Sequence, residues 1–526
     1  MGSKVRAISV FHYHLRPGGV TSVIALACEA WAAYLPEIEL IRLVSGSDEH
    51  EEELAGKIRE RIGKQTTRIE TAVLPEIGYV SGMPSPPSVE SIKSHLRQFS
   101  GSLWWIHNYH IGKNPQFTQA LLEILNEDPD QEILFHIHDF PECARYENLQ
   151  TLREGISLDP YPRARNLRYA LINDRDRRLM ATSGLPEEDL FLLNNPVRGG
   201  RPAKGAGRET TRKKLAFAFG RRPGYIPEGR HLFYPVRTIR RKNILEAGFL
   251  TRLLAEETGE EVNLIVTLPG VSATEKRYSR CVADAFDRGL IPGLWGIGTE
   301  LDQAGIAFPD LGQACDMVVA SSVQEGFGYL FIEALQWELP LFARDLEILD
   351  GIRPRFSRRY SRFYRKLTVP ADDRLAARIR DSYRKKLSRL AEHLPPASLA
   401  RLDGEIGDIG REGCIDFALL SVEDQLAVLA RLNETDYRRQ CLELNRGEIS
   451  TCSALFGEKP KREEIEAAEE EFSFGRFAAK SREIIASYND DTPHLVGGSD
   501  SQQALLDAFA RLEYMLLLYD YNGDEA

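Results

Sequence analysis

Ser321-Ser322-Val323-Gln324-Glu325-Gly326-Phe327-Gly328-Tyr329-Leu330-Phe331-Ile332-Glu333-Ala334-Leu335 is the stretch that decides the fold. It follows a short apolar run, 317–320, and turns through two glycines into an apolar-periodic helix over 329–338. Glu325 and Glu333 stand eight residues apart, one before the turn and one inside the helix. The N–H groups of such a turn and the positive end of its helix make an anion site that suits a diphosphate. A carboxylate on either side accepts hydrogen bonds from hydroxyls without having to titrate. The plainer reading is a glycine turn flanked by surface glutamates.

The strand–loop–helix unit recurs on both sides of this segment. Residues 4–11 read as a buried strand. The loop Pro17-Gly18-Gly19-Val20 follows, then a helix over 21–35. Further strands are expected at 38–44, 102–106, 132–137 and 190–193, then at 231–235 and 262–267. Two such series separated by a Gly-, Arg- and Lys-rich run at 198–214 predict an α/β protein of two doubly wound, Rossmann-like domains facing a cleft. The 526 residues exceed the ~250–300 that one core holds. The expected division is a first domain over 1–198, a linker or crossing over 199–229 and a second domain over 230–450 with a basic insert at 353–388. A helical extension over 451–526 is expected to return to the first domain, ending in a helix over 502–519.

Three strand ends carry candidate chemistry. Pro235-Val236-Arg237-Thr238-Ile239-Arg240-Arg241-Lys242-Asn243 offers cations where a departing diphosphate gains charge. Trp104-Trp105-Ile106-His107-Asn108-Tyr109-His110 places an imidazole at the end of a strand, where it can exchange hydrogen bonds with a sugar. Phe135-His136-Ile137-His138-Asp139 ends the next strand; its H-x-H-D invites a metal reading, disfavoured because no third ligand cluster is evident. Asp174-Arg175-Asp176 lies in a charged stretch, 163–178, that reads as a helix surface.

The first segment resembles S-x-x-E-G-F-G-x-x-x-x-E-A, the E-x7-E signature of retaining GT-B glycosyltransferases, especially glycosyltransferase family 4. Glycogen synthases and trehalose-phosphate synthases share that architecture. The resemblance implies that Glu325 holds the donor sugar's hydroxyls, that Phe327, Gly328 and Tyr329 offer backbone amides and that Glu333 holds the ribose. It assigns Arg237 and Lys242, five positions apart, to the leaving diphosphate. Arg240 and Arg241 are extra cations, either of which could substitute. Gly18 and Gly19 match a loop that approaches donor and acceptor. His107 matches a histidine beside the reacting sugar, and His138 and Asp139 line the acceptor side. The implied activity is retaining, front-face transfer of a hexose from a nucleotide-diphosphate sugar to a hydroxyl, with a UDP-sugar favoured over GDP or ADP and no cofactor or metal. Two positions depart from the pattern: Asn108 replaces an Asp, and Glu338 replaces a Gly before the next strand.

Composition narrows the partners. A formal net charge of −11 argues against a nucleic-acid binder. Seven cysteines without a C-x-x-C, no signal-peptide core and no apolar run of membrane-spanning length lead to a cytoplasmic expectation. Arg-rich runs at 163–178 and 353–365 would suit an anionic acceptor, although a solvated face is preferred for both. Homo-oligomerisation stays open. Two other functions fit the same residues: a retaining disaccharide phosphorylase using inorganic phosphate, and a non-catalytic sugar- or nucleotide-binding module.

Overall fold

Parallel strands buried on both faces read as near-continuous apolar runs. The computed structural model, which describes residues 5–83, 85–199, 206–488 and 501–515, arranges thirteen such strands in two sheets. The first contains β1 (Ala7–His12), β2 (Leu40–Ser45), β3 (Arg68–Val73), β4 (Leu103–His107), β5 (Ile133–Ile137), β6 (Leu167–Leu171) and β7 (Leu190–Leu192), in the order 3-2-1-4-5-6-7. The second contains β8 (Arg230–Arg237), β9 (Val262–Leu268), β10 (Gly293–Trp295), β11 (Met317–Ala320), β12 (Leu341–Arg344) and β13 (Ser361–Tyr364), in the order 10-9-8-11-12-13. All pairs are parallel; β1 aligns Ile8 with Ile41 on one side and with Leu103 on the other. In each sheet the strand order reverses beside the first strand, and the loops leaving that point are where such folds bind ligands.

The chain divides into two compact units. One is 1–199 with 392–395 and 469–510; the other is 200–391 with 396–468 and 511–526. The late segment of the first unit is bound by its core. Helix Gly19–Tyr34 buries Trp31 against Phe477, Ala478 and Ile485 of helix Phe474–Ser487, and the Trp31 indole donates to Ser481 Oγ at 2.9 Å. Helices Thr435–Leu444 and Arg446–Ser453 stay with the second unit. No described helix is long and apolar enough to cross a membrane.

Several expectations change. The span expected to be a linker, 199–229, contains helix Arg208–Phe219, whose Thr211, Leu215 and Phe219 form a buried face at four-residue spacing. Residues 200–205 of that span lie outside the described residues. The charged stretch 163–178 is not one helix surface. Its Leu167–Leu171 is β6, and the arginine inside it is buried because Arg168 donates to Ser487 O at 2.8 Å and to Leu167 O at 2.7 Å. The basic insert supplies edge strand β13 and helix Asp373–Arg389. The last expected helix is two shorter ones, Ser501–Phe509 and Leu512–Met515, with 516–519 outside the described residues.

Glu338 keeps the turn that a glycine would make. Helix Tyr329–Gln336 ends with Glu338 N–H donating to Leu335 O at 2.9 Å and Leu339 N–H to Ala334 O at 3.0 Å. These are the two bonds of a Schellman ending, which puts the residue just after the C-cap in the left-handed region. Glu338 accordingly has φ 58°. Such a conformation costs a side-chain-bearing residue ~1–2 kcal/mol. Glu338→Gly should therefore raise the unfolding midpoint of the second unit by ~2–4 °C. A calorimetric scan showing a lowered midpoint would mean that contacts of the Glu338 side chain outweigh its backbone cost.

Candidate active site

Adjacent parallel strands β8 and β11 release their loops at the same edge of the second sheet. Those loops are tied together. Val323 N–H donates to Arg241 O at 2.8 Å, and Ser321 Oγ to Asn243 O at 2.9 Å. Tyr234, inside β8, donates its hydroxyl to Lys242 O at 2.7 Å and meets Ser322 Oγ at 2.8 Å. Lys242 and Glu325 are thereby brought into a direct ion pair. Ser322 Oγ also donates to Glu325 Oε1 at 2.6 Å, and Arg241 reaches Oε2 at 3.3 Å.

The electrostatics follow from burial. Desolvation would raise the Glu325 carboxyl, but Lys242, Arg241 and the bonds from Lys242 and Ser322 outweigh it and hold it below its usual value. Desolvation pulls the Lys242 ammonium down, with Arg241 adding to it and Glu325 opposing. Glu333 is raised by burial, which Lys242 partly offsets. Gly328 opens the helix at φ 90°, and a Cβ there would lie 2.5 Å from the Phe331 ring, so the turn requires glycine. Phe327 and Tyr329 flank it with their rings edge to face at 5.1 Å.

The sequence-expected cations separate. Lys242 joins Glu325. Arg237 instead lies exposed at the end of β8, 3.4 Å from Glu275, the residue that closes the capping box of helix Ala273–Asp287. Arg241 is the arginine that reaches the glutamate. Arg240 is buried and donates to Asn243 Oδ1 at 3.1 Å and Leu420 O at 3.3 Å, so it holds the loop. Spacing alone does not show which arginine meets Glu325, because a short 3-10 turn over Arg240–Lys242 rotates successive side chains apart.

In the first unit, Gly18 precedes helix Gly19–Tyr34 and Gly19 begins it; a Cβ on Gly19 would meet nothing within 4 Å, so packing does not demand glycine there. His107 ends β4 fully buried, with Nδ1 2.8 Å from His138 Nε2. Together with His136 they form a three-histidine cluster whose ligand atoms lie within 4.8 Å of one another. The third ligand that the sequence did not reveal is thus His107, contributed by the neighbouring strand. The donor set does not fit a metal well. The Trp105 indole N–H donates to His136 Nδ1 at 3.1 Å, so a neutral His136 carries its proton on Nε2 and has no lone pair left. Burial, reinforced by neighbouring imidazoles, holds His107 and His136 well below the usual histidine range and His12 at about 3; burial against Asp139 leaves His138 at about 4.

Asn108 explains its own departure. It sits at φ 52°, a conformation Asn tolerates, and its Oδ1 accepts from His138 N–H at 2.8 Å and Asp139 N–H at 3.3 Å. A carboxamide oxygen serves that role as a carboxylate would. Asp139 receives Arg145 at 2.8 Å. Tyr79, Lys113 and Arg145 stand on the neighbouring loops of this unit, and sequence reading passed over all three. The available signal was Lys113 directly after the His107–Gly112 segment.

No family model matches the chain. A curated relative, mannosylglucosyl-3-phosphoglycerate synthase of Petrotoga mobilis, is 29% identical over 432 residues, covering 79% of each chain. Among solved structures, the lipopolysaccharide outer core galactosyltransferase WaaB is 12% identical with a TM-score of 0.45, covering 91% of this chain and 99% of that one. The pneumococcal O-GlcNAc transferase GtfA, solved with UDP and GlcNAc, is 9% identical with a TM-score of 0.45, covering 93% and 100%. The long alignment to the curated relative and the two doubly wound sheets support a glycosyltransferase of GT-B architecture.

The loop after β5 also carries a titrating group. Glu142 is buried, accepts the Tyr161 hydroxyl at 2.8 Å, and is pushed up to about 7 by burial, against the bonds that oppose it. Below ~4.5, folded and unfolded chains both hold this proton, and the protonated group costs nothing. Between ~4.5 and ~7 the unfolded chain releases it first, so stability falls as pH rises, and above ~7 the loss is complete. Glu142→Gln keeps the acceptor without the charge. Its melting-temperature advantage over wild type should grow from pH 5 to pH 7.5 and then level off; a difference independent of pH would mean that Glu142 does not titrate there.

Proposed function

We propose that this chain, a glycosyltransferase of GT-B architecture, transfers a hexosyl group with retention from a nucleotide-diphosphate sugar to a hydroxyl of a phosphorylated small molecule, in the manner of family 4. The observation that carries this reading is the convergence of Lys242, Arg241 and Glu325 at the start of the helix that contains Glu333. The acceptor class comes from the curated relative, whose name describes a hexosylated 3-phosphoglycerate.

In this reading the donor diphosphate lies against the turn at Gly328, where amide N–H groups and the helix end meet its charge. Lys242 and Arg241 exchange Glu325 for the phosphate oxygens. Glu325, still ionised, turns to the donor sugar's hydroxyls, and Glu333 takes the ribose. As the bond from the anomeric carbon to the phosphate oxygen breaks, negative charge grows on the diphosphate, where both cations and the amides stabilise it. The acceptor hydroxyl attacks the same face of the sugar and gives its proton to the departing phosphate. No protein carboxylate forms a covalent intermediate, in contrast to retaining glycosidases. His107, neutral because of its burial, offers a hydrogen bond rather than a charge to the sugar. A UDP-sugar is the first donor to test, ahead of GDP- and ADP-sugars.

Thermal shift with UDP, GDP, ADP and inorganic phosphate should show stabilisation by one nucleotide, ~2.7 kcal/mol at a hundredfold excess over its Kd, and loss of that response in Glu333→Ala. In a transfer assay with the matching sugar donor, Lys242→Ala and Glu325→Gln should each lower kcat/KM at least ~100-fold, the scale of losing one charge-stabilising group. Silence toward every nucleotide, or near-normal turnover of either variant, would refute the assignment.

A further inference from the structure

In the first unit, the loops leaving β3, β4 and β5 are fastened to one another by hydrogen bonds to backbone carbonyls and by close backbone approach. Asn114 caps helix Pro115–Glu127 through Phe117 N–H at 2.9 Å, and its side-chain N–H groups reach Glu76 O at 2.8 Å and Gly78 O at 2.7 Å. Val80 N–H returns a bond to Lys113 O at 3.1 Å. On the other side Gly112, at φ 71°, is so close to helix Tyr146–Gly155 that a Cβ would lie 2.0 Å from Asn148 O. The positions of Tyr79, Lys113 and Arg145 are therefore set by structure rather than by solvent.

Tyr79 is the centre of this group. Its hydroxyl is 3.2 Å from His14 Nε2, and Lys113 Nζ lies 5.7 Å from its ring centroid. Arg16 and Arg145 both act on it electrostatically. Two of the cations have carboxylates: Arg16 pairs with Glu49 at 2.5 Å and Arg145 with Asp139 at 2.8 Å. Among the described residues Lys113 has only a neutral hydrogen-bond partner, Asn148 Oδ1 at 3.3 Å, with Glu147 acting on it electrostatically. It is half-buried and repelled by Arg145. A desolvated ammonium beside a second cation, with no carboxylate in contact, is an arrangement that an incoming dianion relieves.

We infer that Lys113, Arg145 and Tyr79 form the seat for the acceptor's phosphate, with Arg16 and His14 at its edge. The inference rests on the transferase reading above and gives its acceptor a location. A phosphate monoester supplies two charges and three acceptor oxygens, enough to take the Lys113 ammonium, the Tyr79 hydroxyl and one N–H of Arg145 together. The Arg-rich runs 163–178 and 353–365 are not needed for it.

The test is calorimetric titration of the full-length protein with 3-phosphoglycerate, and with glycerol as the uncharged control. Wild type should bind the phosphate compound and ignore glycerol. Lys113→Gln should weaken binding at least tenfold at an unchanged melting temperature, and Lys113→Arg should restore most of it. Lys242→Gln, in the other unit, should change it less than twofold. Equal affinity in wild type and Lys113→Gln, no binding by wild type, or a loss in Lys242→Gln in place of Lys113→Gln would each overturn the seat. The nucleotide panel is read separately. Phosphate binding that depends on Lys113, with no nucleotide response, would sink the transferase reading and leave the anion seat standing.

Discussion

The pairing of β8 with β11 is the constraint on which the geometry around Lys242 and Glu325 depends. Two strands about 80 residues apart in sequence become neighbours, and their loops leave the sheet side by side. Bonds from Ser321, Val323 and Tyr234 then lock one loop onto the other, so that Lys242 and Glu325 meet without either loop having to be long. Parallel sheets concentrate chemistry in this way because every strand releases its loop at the same edge.

The ion pair so formed has a second property. Lys242 and Glu325 are each mostly removed from water, and either one alone would be a costly buried charge. Paired, each satisfies the other's charge. The same logic holds at Arg145 with Asp139 in the first unit, whereas Lys113 has no such carboxylate in contact among the described residues. Lys113 thus differs from Lys242 and Arg145, each of which has a carboxylate in contact.

Much of this was legible in the sequence, and the failures have physical causes. The glycine turn at 326–328, the alternation of apolar runs with helical periods, and the order of the segments were enough for two doubly wound sheets, because parallel strands leave an uninterrupted apolar signature. β6 was hidden by Arg168, whose guanidinium is buried by carbonyl oxygens that only the tertiary fold supplies. β3 was missed because its Arg68-Ile69-Glu70 start looks like surface; it is an edge strand with one wet face. In the site, Lys242 and Glu325 were both singled out, each for a separate role, but neither their direct pairing nor which arginine reaches Glu325 could be read, since both depend on the turn between Arg237 and Arg241, which no spacing rule encodes. The loops bearing Tyr79, Lys113 and Arg145 carried no motif, since their meeting is arranged by side-chain bonds from Asn114 and a close approach at Gly112.

The seam between Trp31 and the helix containing Ser481 joins residues 450 positions apart. A ribosome making this chain at ~5–20 residues per second needs roughly 20–90 s to add the second partner after the first. Throughout that time the nascent first unit exposes the indole and the apolar groove that Phe477 and Ile485 will fill, while the second unit is made up to residue 468. Synthesis thus leaves the first unit unfinished until helix Phe474–Ser487 has been made, an interval in which its bare groove is a natural target for chaperones.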